Sequence, residues 1–305
     1  MPPPAAPPGL PVKPPPFGYE APDTLEEAVQ LLGQHGDEAK VLAGGQSLMP
    51  LLAFRLARPS LLVDINRIRE LEFLRHVPGT LELGSLTRHR AVELAGSPAV
   101  PAAIAEAAAH IGHVAIRNRG TVGGSLAHAD PSAEWGAVTL AYDGIIVARS
   151  AAGERRIPAA EFFVGYLTSA LLPTEVVTRL ELRLPDRPAG SAFAEFARRH
   201  GDFALGGVAS VLGFAEDRSV RHARVAVIGA GTRPVRCPAA EAALVGREFD
   251  GAAAADAAEA IGPDLELTGA DPAERRFRLR VAKTLTRRAL KAAAQRAETA
   301  ATERE

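Results

Sequence analysis

Apolar and polar positions alternate along this chain in short helical and strand-like segments that predict an α+β protein. Leu25, Ala28, Val29 and Leu32 recur at helical spacing behind Asp23, and Thr24 and Glu27 stand at capping-box spacing. Gly33 and Gly36 mark the end of that helix. Ala39 to Leu42 is a short buried strand, and Leu61-Leu62-Val63-Asp64-Ile65 is a second. Leu81, Leu83 and Ser85 alternate with Glu82 and Gly84, as on a half-buried strand.

Further on, residues 101–111 have a helical pattern, and Arg117-Asn118-Arg119-Gly120 is expected as a turn. A helix follows from Pro131 to Leu140. Ile145 to Ala148 and Arg155 to Ile157 are strands joined around Gly153, and Leu180 to Leu184 is another, ended by Pro185. Residues 186–190 form a linker. Beyond it lie strands at 191–197, 205–214 and 223–229, then helices at 238–246, 250–261 and 272–297. The chain divides into a Pro-rich tail over 1–16, expected to be disordered, two α/β subdomains over 17–57 and 58–185, and a C-terminal domain over 190–297.

Composition narrows the function. A chain of 305 residues suits two or three domains. Its formal net charge of −1 gives no electrostatic case for nucleic acid. The single cysteine, Cys237, excludes an internal disulfide and fits a cytoplasmic setting. No apolar run approaches the roughly 20 residues that span a bilayer, so no transmembrane segment is expected.

The candidate chemistry sits in two glycine-rich segments. One is Ala43-Gly44-Gly45-Gln46-Ser47, entered from the strand ending at Leu42. The other is Thr121-Val122-Gly123-Gly124-Ser125. Paired glycines let a backbone approach a ligand closely and aim several N–H groups at one anion. Two such loops suit the joined phosphates of a dinucleotide. The P-loop pattern and the Rossmann fingerprint are both absent; Gly229-Ala230-Gly231 comes nearest, but Pro234 follows.

These segments, in this order, resemble the FAD-binding medium subunit of molybdenum hydroxylases, the carbon monoxide dehydrogenase and xanthine dehydrogenase group. The similarity is also carried by Leu62-Val63-Asp64-Ile65, Arg117-Asn118-Arg119-Gly120, Asp130-Pro131 with Glu134, and Arg198-Arg199-His200-Gly201-Asp202-Phe203-Ala204. The resemblance implies two subdomains of the vanillyl-alcohol-oxidase type holding FAD between them, plus a C-terminal domain with a small sheet and helices. It implies that residues 43–47 and 121–125 carry the pyrophosphate, that Glu134 contacts the ribityl or ribose, and that Phe203 lies near the isoalloxazine. Many relatives have lysine where this chain has Glu195, which would set a negative charge near the flavin. The implied partners are a small subunit with two [2Fe–2S] clusters and a large molybdopterin subunit, assembled as a dimer of heterotrimers. In that family the substrate site lies on the large subunit, so carbon monoxide, a purine and an aromatic aldehyde all fit.

Other readings stand beside this one. A stand-alone flavin oxidoreductase of the same fold is one, and a flavin-free scaffold or nucleotide-sensing subunit is another. Ser47, Thr121 and Ser125 can bind phosphate or cap turns. Asp130 is expected as a cap beside Pro131, Arg117 and Arg119 as turn arginines or phosphate partners, and Trp135 as a buried helix residue. His110, His113 and His128 lack metal-ligand spacing. No nucleophile–base pair is expected, because a flavin carries its own chemistry. No His or Cys stands out as an attachment point, so FAD is expected to be held non-covalently.

Overall fold

A computed structural model describes residues 13–186 and 189–302, except the side chains of residues 97, 98, 301 and 302. Residues 1–12 of the Pro-rich tail and positions 187 and 188 of the linker lie outside the described residues.

The first unit contains β1 (Gly18–Glu20), α1 (Leu25–His35), β2 (Ala39–Leu42), α2 (Leu48–Ala53) and β3 (Leu61–Asp64). Thr24 caps α1 through its side chain, and the Glu27 carboxylate answers to the cap backbone, as the spacing predicts. The three strands form a parallel sheet in the order β1-β3-β2. Ala28, Val29 and Leu32 of α1 pack on Ala39, Leu61 and Val63. Because β3 is its central strand, this sheet extends past the boundary expected at residue 57. The unit closes after the turn at Arg69–Leu71, whose Leu71 joins the same core.

The second unit runs through β4 (Leu74–Val77), β5 (Thr80–Gly84), α3 (His89–Ala99), α4 (Ala102–His110), α5 (Val114–Arg119), α6 (Val122–His128), α7 (Glu134–Ala141), β6 (Ile145–Ser150), β7 (Gly153–Pro158), α8 (Ala159–Phe162), β8 (Phe163–Gly165), β9 (Thr168–Ser169) and β10 (Val176–Arg183). Its sheet, β4-β5-β10-β6-β7, is antiparallel. Three expectations change here. Residues 117–119 end a helix rather than forming a turn, because Arg117 and Gly120 donate backbone hydrogen bonds to His113 and Ile116 carbonyls. Pro131 precedes α7 instead of opening it. Asp130 does not cap that helix; its Oδ1 accepts from the Ser132 N–H (2.8 Å), closing an Asx turn.

The third unit holds β11 (Ala189–Phe196), β12 (Gly206–Phe214), β13 (Val220–Ile228), β14 (Val235–Arg236), α9 (Pro238–Ala242), α10 (Gly251–Ala260) and α11 (Pro272–Thr302). Its antiparallel sheet follows chain order. One face takes Ala282, Leu285, Ala289 and Ala293 of α11. The other face contributes Phe193, Ala209, Val211, Ala226 and Ile228 to the core of the second unit, so the two share one hydrophobic interior. Asp143, just past α7, pairs with Arg224 and Arg236 and fixes the junction. Cys237 is buried.

Candidate functional site

The first glycine segment turns sharply between β2 and α2. Gly45 has φ +72°, a conformation that a side chain disfavours. Among the described residues, the N–H groups of Ala43, Gly44, Gly45, Gln46 and Ser47 donate no hydrogen bond. That is unusual for half-buried backbone, whose donors are nearly always paired. The turn is held from behind. Asn66 Nδ2 donates to the Ala43 carbonyl (2.7 Å) and to Asp64 Oδ1 (2.6 Å), and the Tyr19 hydroxyl donates to Asp64 Oδ2 (2.6 Å). Arg88 donates to Asn66 Oδ1 (2.8 Å) and to the Arg119 carbonyl. A cleft of about 400 Å³ opens over this turn, lined by Ala43 to Gln46, Asp64, Asn66 and Arg119. The Arg119 guanidinium makes no hydrogen bond among the described residues, so a cation faces a run of open N–H donors.

The second glycine segment is not a loop; it starts α6. Thr121 is the N-cap, and its hydroxyl accepts from the Gly124 N–H (3.1 Å). The N–H groups of Val122, Gly123 and Ser125 are used as well, by the carbonyls of Thr87, Ser85 and Thr121. The two segments therefore differ: the first leaves its donors open, and the second satisfies them within the protein. The Ser47 and Ser125 hydroxyls make no hydrogen bond among the described residues.

The two segments meet. A Cβ on Gly44 would lie 2.3 Å from the Arg119 carbonyl oxygen and 2.8 Å from Gly120 Cα. One on Gly124 would lie 3.8 Å from Ala43 Cβ. Gly123 is committed to packing, because a Cβ there would fall 2.0 Å from Ser85 Oγ. Arg117 is neither a surface arginine nor in the cleft. It is buried, with Nε on Glu93 (2.7 Å) and Nη1 on the Ile111 and Gly112 carbonyls (3.2 and 2.8 Å).

From Gly120 a chain of contacts leads toward the third unit. Gly120 abuts the His89 ring, and Trp135 Nε1 donates to His89 Nδ1 (3.1 Å). Burial and the neighbouring Arg88 and Arg117 hold His89 neutral, down to about 3. Trp135 is fully buried on α7, as expected. Its neighbour Glu134 opens α7 and is itself buried, and burial pushes its carboxyl up to about 7. Glu195 lies near it on β11. Burial first, and the Glu134 charge second, push Glu195 up to about 9. Burial therefore works against the negative charge expected at Glu195. Phe203 is exposed in the segment joining β11 to β12; nearby Gly201 packs against His113, just ahead of α5.

Asn66 and Arg88, which brace the first glycine turn, lie outside the sequence motifs. Asn66 carried a weak signal, two residues past Asp64; Arg88 carried none. Among the described residues no group of His, Cys, Asp and Glu could hold a metal ion, and no helix is long and apolar enough to cross a membrane.

Comparison with known proteins defines the class. Residues 15–185 match the FAD binding domain in molybdopterin dehydrogenase, and residues 191–293 match the CO dehydrogenase flavoprotein C-terminal domain. The 6-hydroxypseudooxynicotine dehydrogenase complex subunit alpha of Paenarthrobacter nicotinovorans is 44% identical over 94% of this chain and 97% of its own. The caffeine dehydrogenase subunit beta of Pseudomonas sp. (strain CBB1) is 39% identical over 93% and 97%. Among solved structures, carbon monoxide dehydrogenase from Hydrogenophaga pseudoflava superposes with a TM-score of 0.86 at 36% identity, covering 93% of this chain and 99% of that one. The chain belongs to the family of FAD-binding subunits of molybdenum hydroxylases. It is an oxidoreductase subunit, and its cofactor is FAD.

Proposed function

We propose that this chain relays electrons, taking them from [2Fe–2S] clusters on a small partner subunit and passing them to an external acceptor. In this reading a large molybdopterin subunit oxidises the substrate, and two heterotrimers pair in the cytoplasm. The observation that carries the reading is the run of open N–H donors at residues 43–47 beside Arg119, in a chain of this family. Those donors suit the FAD pyrophosphate. Gly124 and Ser125 close the far side from α6, with Thr121, Val122 and Gly123 supporting them through capping and packing. Glu134 and Phe203 lie toward the isoalloxazine end in this assignment. Asn66, Asp64 and Arg88 keep the turn in shape.

Bound FAD supplies the electron-accepting and electron-donating chemistry. The protein's part is position and electrostatics. Cys237 alone cannot supply the four thiolates of a cluster, and its burial pushes the thiol well above its ordinary range. In this reading, electrons arrive from the clusters of another chain.

Anaerobic mixing tests the relay. The FAD-loaded chain should stay oxidised with candidate substrates such as xanthine or carbon monoxide, and bleach only after both partner chains are added. Rapid bleaching in the isolated chain would overturn the relay and favour a stand-alone oxidoreductase.

A further inference from the structure

The outward face of α11 carries charge of one sign. No Asp or Glu stands between Glu274 and Glu298, in a chain whose formal net charge is −1. The cations of that stretch fall into two groups. Arg275, Arg278, Lys283 and Arg296 are engaged within the chain. Arg275 donates to the Gly269 carbonyl (3.0 Å), Arg278 to Glu274 (3.0 Å) and the Gly229 carbonyl (2.6 Å), Lys283 to Glu259, and Arg296 to Glu106. Arg276, Arg280, Arg287, Arg288 and Lys291 make no hydrogen bond or ion pair among the described residues, and all but the partly covered Arg287 are exposed. Helical spacing puts Phe277, Arg280, Arg287, Arg288 and Lys291 on one face, turned away from Ala282, Leu285, Ala289 and Ala293, which pack on the sheet. From Arg276 to Lys291 that face rises about 22 Å. Arg276 and Arg280, like Arg287 and Lys291, are equal charges one turn apart, and they repel. A solvated face normally mixes its signs. This one does not, and an anionic surface laid against it would relieve the repulsion.

The stripe starts at an apolar spot. Phe277 meets Phe196 at the end of β11, with ring centroids 6.4 Å apart, and both rings remain partly exposed. The Leu205 N–H donates to the Phe196 carbonyl (2.8 Å) and closes the loop that carries Phe203, itself 72% exposed. Aromatic rings beside arginines are the composition of the energetic centre of a protein interface. Charge and shape select the occupant. A helix enters a lipid surface by its apolar face, and the apolar face of α11 is covered by the sheet. A long polyanion such as nucleic acid would also meet the carboxylates outside α11, which bring the net charge to −1. A protein surface with carboxylates around an apolar centre fits both the stripe and the Phe196–Phe277 contact.

We propose that the outward face of α11 from Phe277 to Lys291, together with Phe196, docks an acidic surface of the iron–sulfur subunit. This rests on the relay proposed above and names the surface that holds its electron donor. In that reading Phe203 lies toward the isoalloxazine, so the stripe begins where electrons enter. Attraction between the two charged faces speeds their encounter, and the aromatic contact holds the complex once formed.

The test titrates the full FAD-loaded chain with the iron–sulfur subunit at about 0.05 M and about 0.5 M salt. The unsubstituted chain should bind at least about tenfold more weakly at the higher salt. The triple variant Arg280→Glu, Arg288→Glu, Lys291→Glu should bind at least about a hundredfold more weakly at the lower salt, and the same three positions changed to Gln about tenfold more weakly. Phe277→Ser should lose about tenfold at both salts. The glutamine variant should keep the FAD affinity and urea midpoint of the unsubstituted chain, which separates docking from folding. Iron–sulfur affinity that ignores the charge changes, or a loss confined to the molybdopterin subunit, overturns the proposal. So does binding to vesicles of phosphatidylcholine with phosphatidylserine that charge reversal abolishes while iron–sulfur affinity stays the same. If the unsubstituted chain binds no iron–sulfur subunit and substrate alone reduces its FAD, the relay itself fails, and the docking surface with it.

Discussion

Gly44→Val should weaken FAD binding at least about a hundredfold, near 2.7 kcal/mol, and destabilise the chain by about 1–3 kcal/mol. The cause is space. The new Cβ would sit 2.3 Å from the Arg119 carbonyl oxygen and 2.8 Å from Gly120 Cα, and both are backbone atoms. Arg119 cannot step aside easily, because its carbonyl also receives Arg88. The turn carrying the open donors would be forced off the second glycine segment, and the cleft between them would lose its shape. Gly124→Val makes the contrast. Its Cβ would meet Thr121 Oγ1 at 2.8 Å and otherwise only Ala43 Cβ at 3.8 Å. It weakens the α6 cap by about 1 kcal/mol and fills space on the ligand side. FAD affinity should fall at least about tenfold while the C-terminal domain stays folded. Flavin fluorescence titration and urea unfolding read both effects. Unchanged FAD affinity in either variant would count against the assigned site.

Arg117→Met should cost about 3 kcal/mol of stability although Arg117 touches no part of the cleft. The guanidinium is buried between α3 and α5. Its removal leaves the Ile111 and Gly112 carbonyls without a donor and reduces Glu93 to its pairing with Arg90 (2.6 Å). Methionine replaces the volume and none of the hydrogen bonds. Because α5 delivers Arg119 and Gly120 to the first glycine turn, FAD binding should weaken as well, by less than in Gly44→Val. Urea unfolding gives the first quantity, and equal stability of Arg117→Met and the unsubstituted chain would show that the pair contributes nothing.

Periodicity located most elements within a few residues, because each buries a regular apolar face. The capped helix at α1 and the strand Ala39–Leu42 are examples. The sequence predicts a loop at the second glycine segment because glycines disfavour helix interiors; in the structure Thr121 caps the turn and Gly123 packs against Ser85, a contact only glycine allows. The 57/58 boundary failed because parallel pairing of β3 between β1 and β2 is non-local and leaves no mark in a window of sequence. Arg117 is expected as a turn arginine or phosphate partner, because nothing local signals that Glu93 of α3 lies opposite it. The glycine segments point to a ligand through their composition. Asn66 and Arg88, which hold the first segment in shape, act at sequence distances no spacing rule reaches. Glu195 is visible in the sequence but its environment is not: its carboxyl is pushed up first by burial and then by Glu134, and both arise only on folding.

A structure of the chain with FAD bound measures the central claim most directly. The account predicts the pyrophosphate within hydrogen-bond reach of the N–H groups of residues 43–47, with Arg119 and the start of α6 alongside. A pyrophosphate seated elsewhere, with those five N–H groups still open, would contradict it.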